Sequence, residues 1–391
     1  MPSDIKLVGV GMTPFTRAPT AGLRDLATAA ALEALDDAGL TPADVDRIHL
    51  GNAAAGIVTQ QEMIRGQVAF RRSPLGGIPL VNVENACASG SSALSLACDA
   101  IAAGRAEVVL VVGAEQLNHV DKARTFNALR GSTDISEIGE SVNGDVATNS
   151  VLMDFYAAEA RGYLDAYDAT VDDLARVAVK NRRNAMTNPL AQYRSPQTVE
   201  EVLSARTIVA PLTLPMCSPT TDGAAALVLT SAERARSLPG PVLGVLACEL
   251  AGTGGDGRSP VLDASAAAYR RAGVGPSDFD LIELHDAAAP AELIQYAEIG
   301  LCDEGEGHHL LRRGVTELGG TIPVNVSGGL LSRGHPLGAT GAAQIVELAT
   351  QLRDRADGRQ VEGARLGMAV NGGGWLDGTY AVAVATIVQA E

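Results

Sequence analysis

Cysteine is scarce in this 391-residue chain, and the five present stand apart: Cys87, Cys98, Cys217, Cys248 and Cys302. An odd, scattered set without a CxxC pair argues against a disulfide framework and fits a reducing compartment. No cluster of residues has metal-ligand spacing along the chain, so no metal is expected. Positive charge is short as well, with 30 Lys and Arg against 46 Asp and Glu, a formal charge of −16. That balance disfavours nucleic acid and anionic membranes, and an anionic ligand needs a local patch of Lys, Arg or helix N-termini. No uninterrupted apolar run approaches membrane-spanning length, and the opening MPSDIKLVGVGMTPF lacks the apolar core of a secretory signal. A cytoplasmic protein with neither nucleic-acid nor membrane partners is expected.

Aromatics are only 3% of the chain, yet 46% is hydrophobic and rich in Ala, which is ample core material. IKLVGVG reads as a strand and LRDLATAAALEALDDAGL as a helix with Gly at its end. RIHLGNA and PLVNVEN read as strands, SSALSLACDAIAAG as a helix and EVVLVVGAE as a strand. Alternating elements with near-continuous apolar strands predict a buried, largely parallel sheet. The chain then repeats itself. ALDDAGLTPADVDRIHLGNAAA (34–55) lies on AYRRAGVGPSDFDLIELHDAAA (268–289) with 11 of 22 positions identical, which predicts a duplicated α/β unit. Residues 119–205 break the pattern and read as a mostly helical insertion. TTDGAAALVLTS returns to the first half, and the second half opens near VLGVLACEL.

The chemistry centres on NACASGSSALSLACDA (85–100). Cys87 sits where a strand becomes a helix, walled by small residues that admit a substrate, with backbone N–H groups nearby to meet an oxyanion. A free thiol is only about 3% thiolate at pH 7, and a helix N-terminus contributes roughly 0.3–1 kcal/mol, so an imidazole is needed too. His285 opens HDAAA after the strand LIEL, and His335 opens HPLGATG before a helix. If the halves are duplicates, the three loops meet at one sheet edge as a nucleophile with two bases, an acyl-transfer constellation. His49, His119, His308, His309 and the other four cysteines read as structural or solvated. GTGGDG (252–257) reads as a glycine-rich connection, because RSPVLD intervenes before the next helix and a dinucleotide fingerprint needs the helix at once. KNRR (180–183) reads as a solvated helix face, with a ligand phosphate as the alternative.

NACASG, HDAAA and NVSGGLLSRGHPLGATGAAQIVEL together resemble the thiolase superfamily. The nearest branch is the one related to the thiolase portion of sterol carrier protein 2 and to acetyl-CoA acetyltransferases. The resemblance implies duplicated βαβαβαββ halves forming a five-layered α-β-α-β-α structure. Its divisions are 1–118 with 206–246 as the first half, 119–205 as an inserted loop domain, and 247–391 as the second half. It further implies coenzyme A thioesters as substrates without a permanently bound cofactor, and a homodimer or homotetramer. By motif, Cys87 takes up the acyl group, His335 activates it and lines an oxyanion hole, and His285 holds the thioester oxygen or moves a proton. Cys87 and Gly372 supply the N–H groups of a second oxyanion hole, and Ser327 and Gly328 line the substrate pocket. The chain departs from the pattern in AVNGGGW, where Val370 stands in place of a second, acid/base cysteine. Three readings follow: an acyl-CoA C-acyltransferase; a condensing or acyl-transfer enzyme working with a carrier protein or small partner subunit; and a degenerate scaffold.

Overall fold

The computed structural model describes residues 4–17, 21–136, 138 and 150–391. Residues 1–3 and 18–20, and 137 and 139–149 of the inserted stretch, lie outside the described residues. In the first half the order is β1 (Ile5–Met12), α1 (Leu23–Asp37), β2 (Arg47–Gly51), β3 (Leu80–Val83), α2 (Ser89–Ala102) and β4 (Val108–Glu115). Two helices of the inserted stretch follow, α3 (Val151–Ala166) and α4 (Val171–Ala185), before β5 (Gly223–Ser231). The second half runs β6 (Leu243–Gly252), α5 (Pro260–Ala272), β7 (Leu281–Glu283), α6 (Ala289–Glu298), α7 (Gly307–Arg312), α8 (Thr340–Leu352), β8 (Leu366–Gly373) and β9 (Val382–Ala390).

The strands lie in the order β3-β2-β4-β5-β1-β6-β9-β8-β7. Two residue pairs join β1 to β6, Lys6 with Gly244 and Leu7 with Leu243. On either side of that seam the arrangement repeats. β1, β5, β4, β2 and β3 on one side match β6, β9, β8, β7 and a parallel bridge from Ile282 to Val324 on the other. The duplicated sequence therefore folds twice in the same topology.

The sheet is mixed rather than largely parallel. β2 runs parallel to β3 and β4, and β7 to β8, but β5 and β9 are antiparallel to both their neighbours. The physical reason lies in burial. β4 is buried along its whole length, so it reads as a continuous apolar run whichever way its neighbours point. Direction is set by connections, and the short one from β8 to β9 permits only an antiparallel return.

Apolar packing then makes the layers. α1 places Ala27, Ala30, Ala31 and Ala34 on the outer face of the first half. α5 and α6 cover the outer face of the second half with Val261, Ala264 and Leu293. α2 and α8 lie against each other between the two halves, with Ala93, Leu94 and Ala97 sharing one apolar cluster with Ala342, Ala343 and Val346. Buried Ala in place of larger side chains keeps these layers close.

Two expectations are settled by position. β6 ends at Gly252 and α5 starts at Pro260 behind a Ser259 cap, so GTGGDG is a connection without a helix at its end. KNRR is not a solvated face. Lys180 is buried, pairs with Glu292 and donates to the Val324 carbonyl at 2.9 Å, while Arg182 lies 4.0 Å over the Tyr193 ring. A charge inside a fold needs such a partner, and it came from α6, over 100 residues away. No described helix is long and apolar enough to cross a membrane.

Candidate active site

Cys87 is held by a sharp turn. β3 stops at Val83, and Ala86 takes φ +48, a left-handed conformation unusual for a residue with a Cβ. Residues 86–88 make one 3₁₀ turn that runs into α2. Ser89 Oγ ties the turn together, donating to the Ala86 carbonyl at 2.7 Å and accepting from Asn85 N–H at 3.0 Å. The nearby backbone N–H groups of Cys87 itself and of Gly374 favour the thiolate, but burial outweighs them. With added repulsion from the Glu115 carboxylate, it pushes the thiol up to about 12.

The loop before α8 crosses this turn at backbone contact. A Cβ on Gly90 would stand 2.6 Å from the Gly338 carbonyl oxygen, and one on Gly338 would stand 2.8 Å from that of Gly51. Glycine is needed on both sides, because nothing larger lets the two copies of the fold approach so closely. Glu115 fastens the crossing by accepting N–H groups from Ala53, Ala54 and Gly338. Burial pushes its carboxyl up to about 7.

His335 enters on this loop. Its backbone N–H donates to Thr221 Oγ1 at 3.0 Å, and its Nδ1 lies 2.7 Å from Thr340 Oγ1. Thr340 donates its own proton to the Pro336 carbonyl, so His335 carries hydrogen on Nδ1 and leaves Nε2 free to accept one. His285 follows β7 and is pinned at both backbone groups by the Gln295 amide of α6, at 3.1 and 2.9 Å. Its Nδ1 accepts from Asn371 Nδ2 at 2.9 Å, and Asn371 Oδ1 accepts from Ser91 on α2 at 2.8 Å. With Asn371 in this orientation His285 carries its proton on Nε2, and the single Ser91 proton is shared between Asn371 and the Ala88 carbonyl at 3.0 Å. The two imidazoles stand edge to face with centroids 5.2 Å apart. Burial lowers His285 to about 3 and holds His335 well below its usual range, aided there by the charges of His285 and Arg333.

Cys87 Sγ and a ring nitrogen from each of His285 and His335 all lie within 4.8 Å of one another. The structure thus brings together the nucleophile of the first half and both imidazoles of the second. Gly372 lies in the pairing of β8 with β9, which extends through Gly373, and Gly374 is the first glycine beyond the ladder. A Cβ on Gly372 would meet the Tyr380 ring at 2.6 Å. Ser327 departs from a pocket-lining role. Its hydroxyl donates to Glu283 at 2.6 Å and accepts from Arg333 and Gly329, so it is spent inside the fold. Gly328, with φ +100, turns the chain against Ala185. Val370 is fully buried, and its carbonyl accepts from Gln344.

Sequence reasoning passed over Asn371, Ser91, Gln295 and Thr340, the groups that orient the imidazoles. Asn371 had the one visible signal, a polar residue inside an otherwise apolar strand. Among the remaining histidines, His49 lies within β2 with Nδ1 3.3 Å from the Ala93 carbonyl, and His119 Nδ1 accepts from Asp121 N–H at 3.0 Å. The five cysteines are free thiols.

The chain matches the family model described as thiolase, N-terminal domain, over residues 5–233, and that described as thiolase C-terminal domain-like over 257–386. It is 38% identical to an acetyl-CoA acetyltransferase of Methanothermobacter thermautotrophicus, covering 97% of this chain and 98% of the relative. It is 37% identical to benzoylsuccinyl-CoA thiolase subunit BbsB of Thauera aromatica, covering 95% of each. Among solved structures it resembles an Ltp2-ChsH2(DUF35) aldolase, with a TM-score of 0.80, 27% identity, and 100% and 98% of the two chains covered. Human mitochondrial 3-ketoacyl-CoA thiolase shares the fold at a TM-score of 0.71 and 19% identity, covering 100% and 99%. With both family models matched in order and relatives aligned nearly end to end, the chain belongs to the thiolase family.

Proposed function

We propose that this chain is an acyl-CoA C-acyltransferase that carries its acyl group on Cys87. The observation that supports the reading most is the convergence of Cys87, His285 and His335 within 4.8 Å. In the first half-reaction the Cys87 sulfur attacks the thioester carbonyl of an acyl-CoA while its proton passes to His335 Nε2. The C–S bond to coenzyme A then breaks, and the proton leaves with the departing thiol, giving acyl-Cys87 and free coenzyme A. Neither resting group is charged, since burial raises the thiol and lowers the imidazole. Attack and proton transfer are therefore concerted with arrival of the substrate. His285, with Nε2–H turned to the site, donates to the oxygen that gains charge, and the N–H groups of Cys87 and Gly372 do the same for the acyl-enzyme. A second acyl-CoA then gives up an α-proton to His335 Nε2, its α-carbon attacks the acyl carbonyl, and the bond to Cys87 breaks as the proton returns to the sulfur, giving a 3-oxoacyl-CoA and the free thiol. In reverse, thiolysis cleaves a 3-oxoacyl-CoA.

Incubation with acetyl-CoA is expected to add one acetyl group to the peptide bearing Cys87, and Cys87→Ser is expected to abolish the label. No label across a panel of acyl-CoAs would count against the transferase reading and favour a scaffold. A second reading is a condensing or acyl-transfer enzyme working with a small partner subunit. It is favoured by Val370 at the place of the second cysteine and by the likeness to an aldolase solved with a DUF35 component. Acetoacetyl-CoA with free coenzyme A separates the two: cleavage supports simple thiolysis, and a labelled Cys87 without cleavage supports the partner-dependent enzyme. For assembly, the reading is a homodimer joined at the open edge of the sheet.

A further inference from the structure

A second group of side chains converges away from the residues around Cys87. Asp168 follows the end of α3, and His308 and His309 are consecutive on α7. Asp168 Oδ1 lies 2.7 Å from His308 Nε2 and 3.5 Å from His309 Nε2. One donor atom from each of the three stands within 4.8 Å of the others, and the two imidazole centroids are 4.0 Å apart.

The geometry around Asp168 suits a shared cation. His308 is buried, and its Nδ1 faces the Tyr163 hydroxyl at 3.2 Å. That hydroxyl also stands 3.1 Å from the Gly305 carbonyl, and with its proton on that side it accepts from His308 Nδ1–H. In that tautomer the Nε2 lone pair faces a carboxylate oxygen 2.7 Å away, an arrangement that a cation between the two satisfies. A second ring proton serves one contact only, and His309 aims a further nitrogen at the same oxygen. A tetrahedral ion with bonds of about 2.0–2.1 Å holds adjacent donors about 3.4 Å apart. The His309 contact already has that spacing. The His308 contact must open by roughly 0.7 Å to reach the same value, which Asp168 permits because its side chain is 73% exposed. Arg312, the nearby cation, is committed to Asp173 by two bonds of 2.8 and 2.7 Å and touches only the Asp168 carbonyl, at 3.3 Å.

We propose that Asp168, His308 and His309 form a binding site for a divalent transition metal of the zinc type, with water completing its coordination. Tyr163 fixes the His308 ring from behind, as the outer partner of a metal-binding histidine does. The metal ties the end of α3, in the inserted stretch, to α7 in the second half.

The test uses metal-stripped full-length protein carrying Cys87→Ala, because Cys87, His285 and His335 offer zinc-type donors of their own. Calorimetric titration with zinc chloride is expected to show one equivalent bound. The unfolding midpoint is expected to rise by about 2 °C or more when free zinc is ~100-fold above Kd. His309→Ala and Asp168→Asn in that background, both at exposed or half-exposed positions, are each expected to weaken binding at least about tenfold. Absence of zinc uptake in the parent overturns the proposal and leaves an ordinary hydrogen bond between His308 and Asp168. Unchanged affinity in either variant overturns it as well.

Discussion

At the scale of single residues, the site is made of groups held in their neutral forms. Cys87 is pushed up to about 12 by burial, against an ordinary thiol near 8.5. The unfolded chain therefore loses this proton first as pH rises, and the stability tied to the buried thiol is present below about pH 8.5 and lost toward 12. His285 is lowered to about 3 from 6.5. Between those values the unfolded chain binds a proton that the folded chain refuses, so its contribution is present above about 6.5 and lost as pH falls toward 3. The chemical counterpart is direct. Alkylation of Cys87 by iodoacetamide in the absence of substrate is expected to rise steadily from pH 7 to 10 without a plateau. A rate that levels off near neutrality would show a standing thiolate and remove the concerted first step. Asn371 belongs to this scale too: it is one residue from Val370, yet it sets which nitrogen of His285 carries hydrogen.

Elements meet at the site through glycine. The turn at Cys87 and the loop at His335 are matching pieces of the two halves, and they touch backbone to backbone at Gly90 and Gly338. Gly338→Ala is expected to cost about 1–3 kcal/mol through overpacking against backbone atoms that cannot move aside. Chemical denaturation measures the loss, and acylation of Cys87 should fall with it. A variant as stable as the parent would show that the crossing is looser than the contacts indicate. At this scale the sequence was legible in part. The strand and helix patterns and the Gly-rich motifs marked where each loop leaves its strand. Ser327 was legible as a loop residue but not in orientation, because a hydroxyl turns toward whichever partner the fold supplies, here Glu283. Gly372 read as loop, but it lies inside the β8–β9 ladder.

The whole molecule is two copies of one topology back to back, with its sheet open at β3. Val81 on that strand is 42% exposed, and Met63 and Ile64 beside it are 75% and 60% exposed. An unpaired edge flanked by exposed apolar side chains is a template for a second chain. Sedimentation of the full-length protein at micromolar concentration is expected to give the mass of two 40.1 kDa chains, and Val81→Lys to shift it toward one. A single-chain mass for the parent would leave the edge without that role.

The sequence by itself determined the duplication, the placement of Cys87 and His285 after strands and of His335 before a helix, and the thiolase family pattern, because these are written in local periodicity and contiguous motifs. Only the tertiary structure decided strand direction, the burial of Lys180, the relay from Ser91 through Asn371 to His285, and the meeting of Asp168 with His308 and His309. Each of those depends on partners more than 100 residues apart or on which way a short side chain turns. Neither leaves a trace in spacing along the chain.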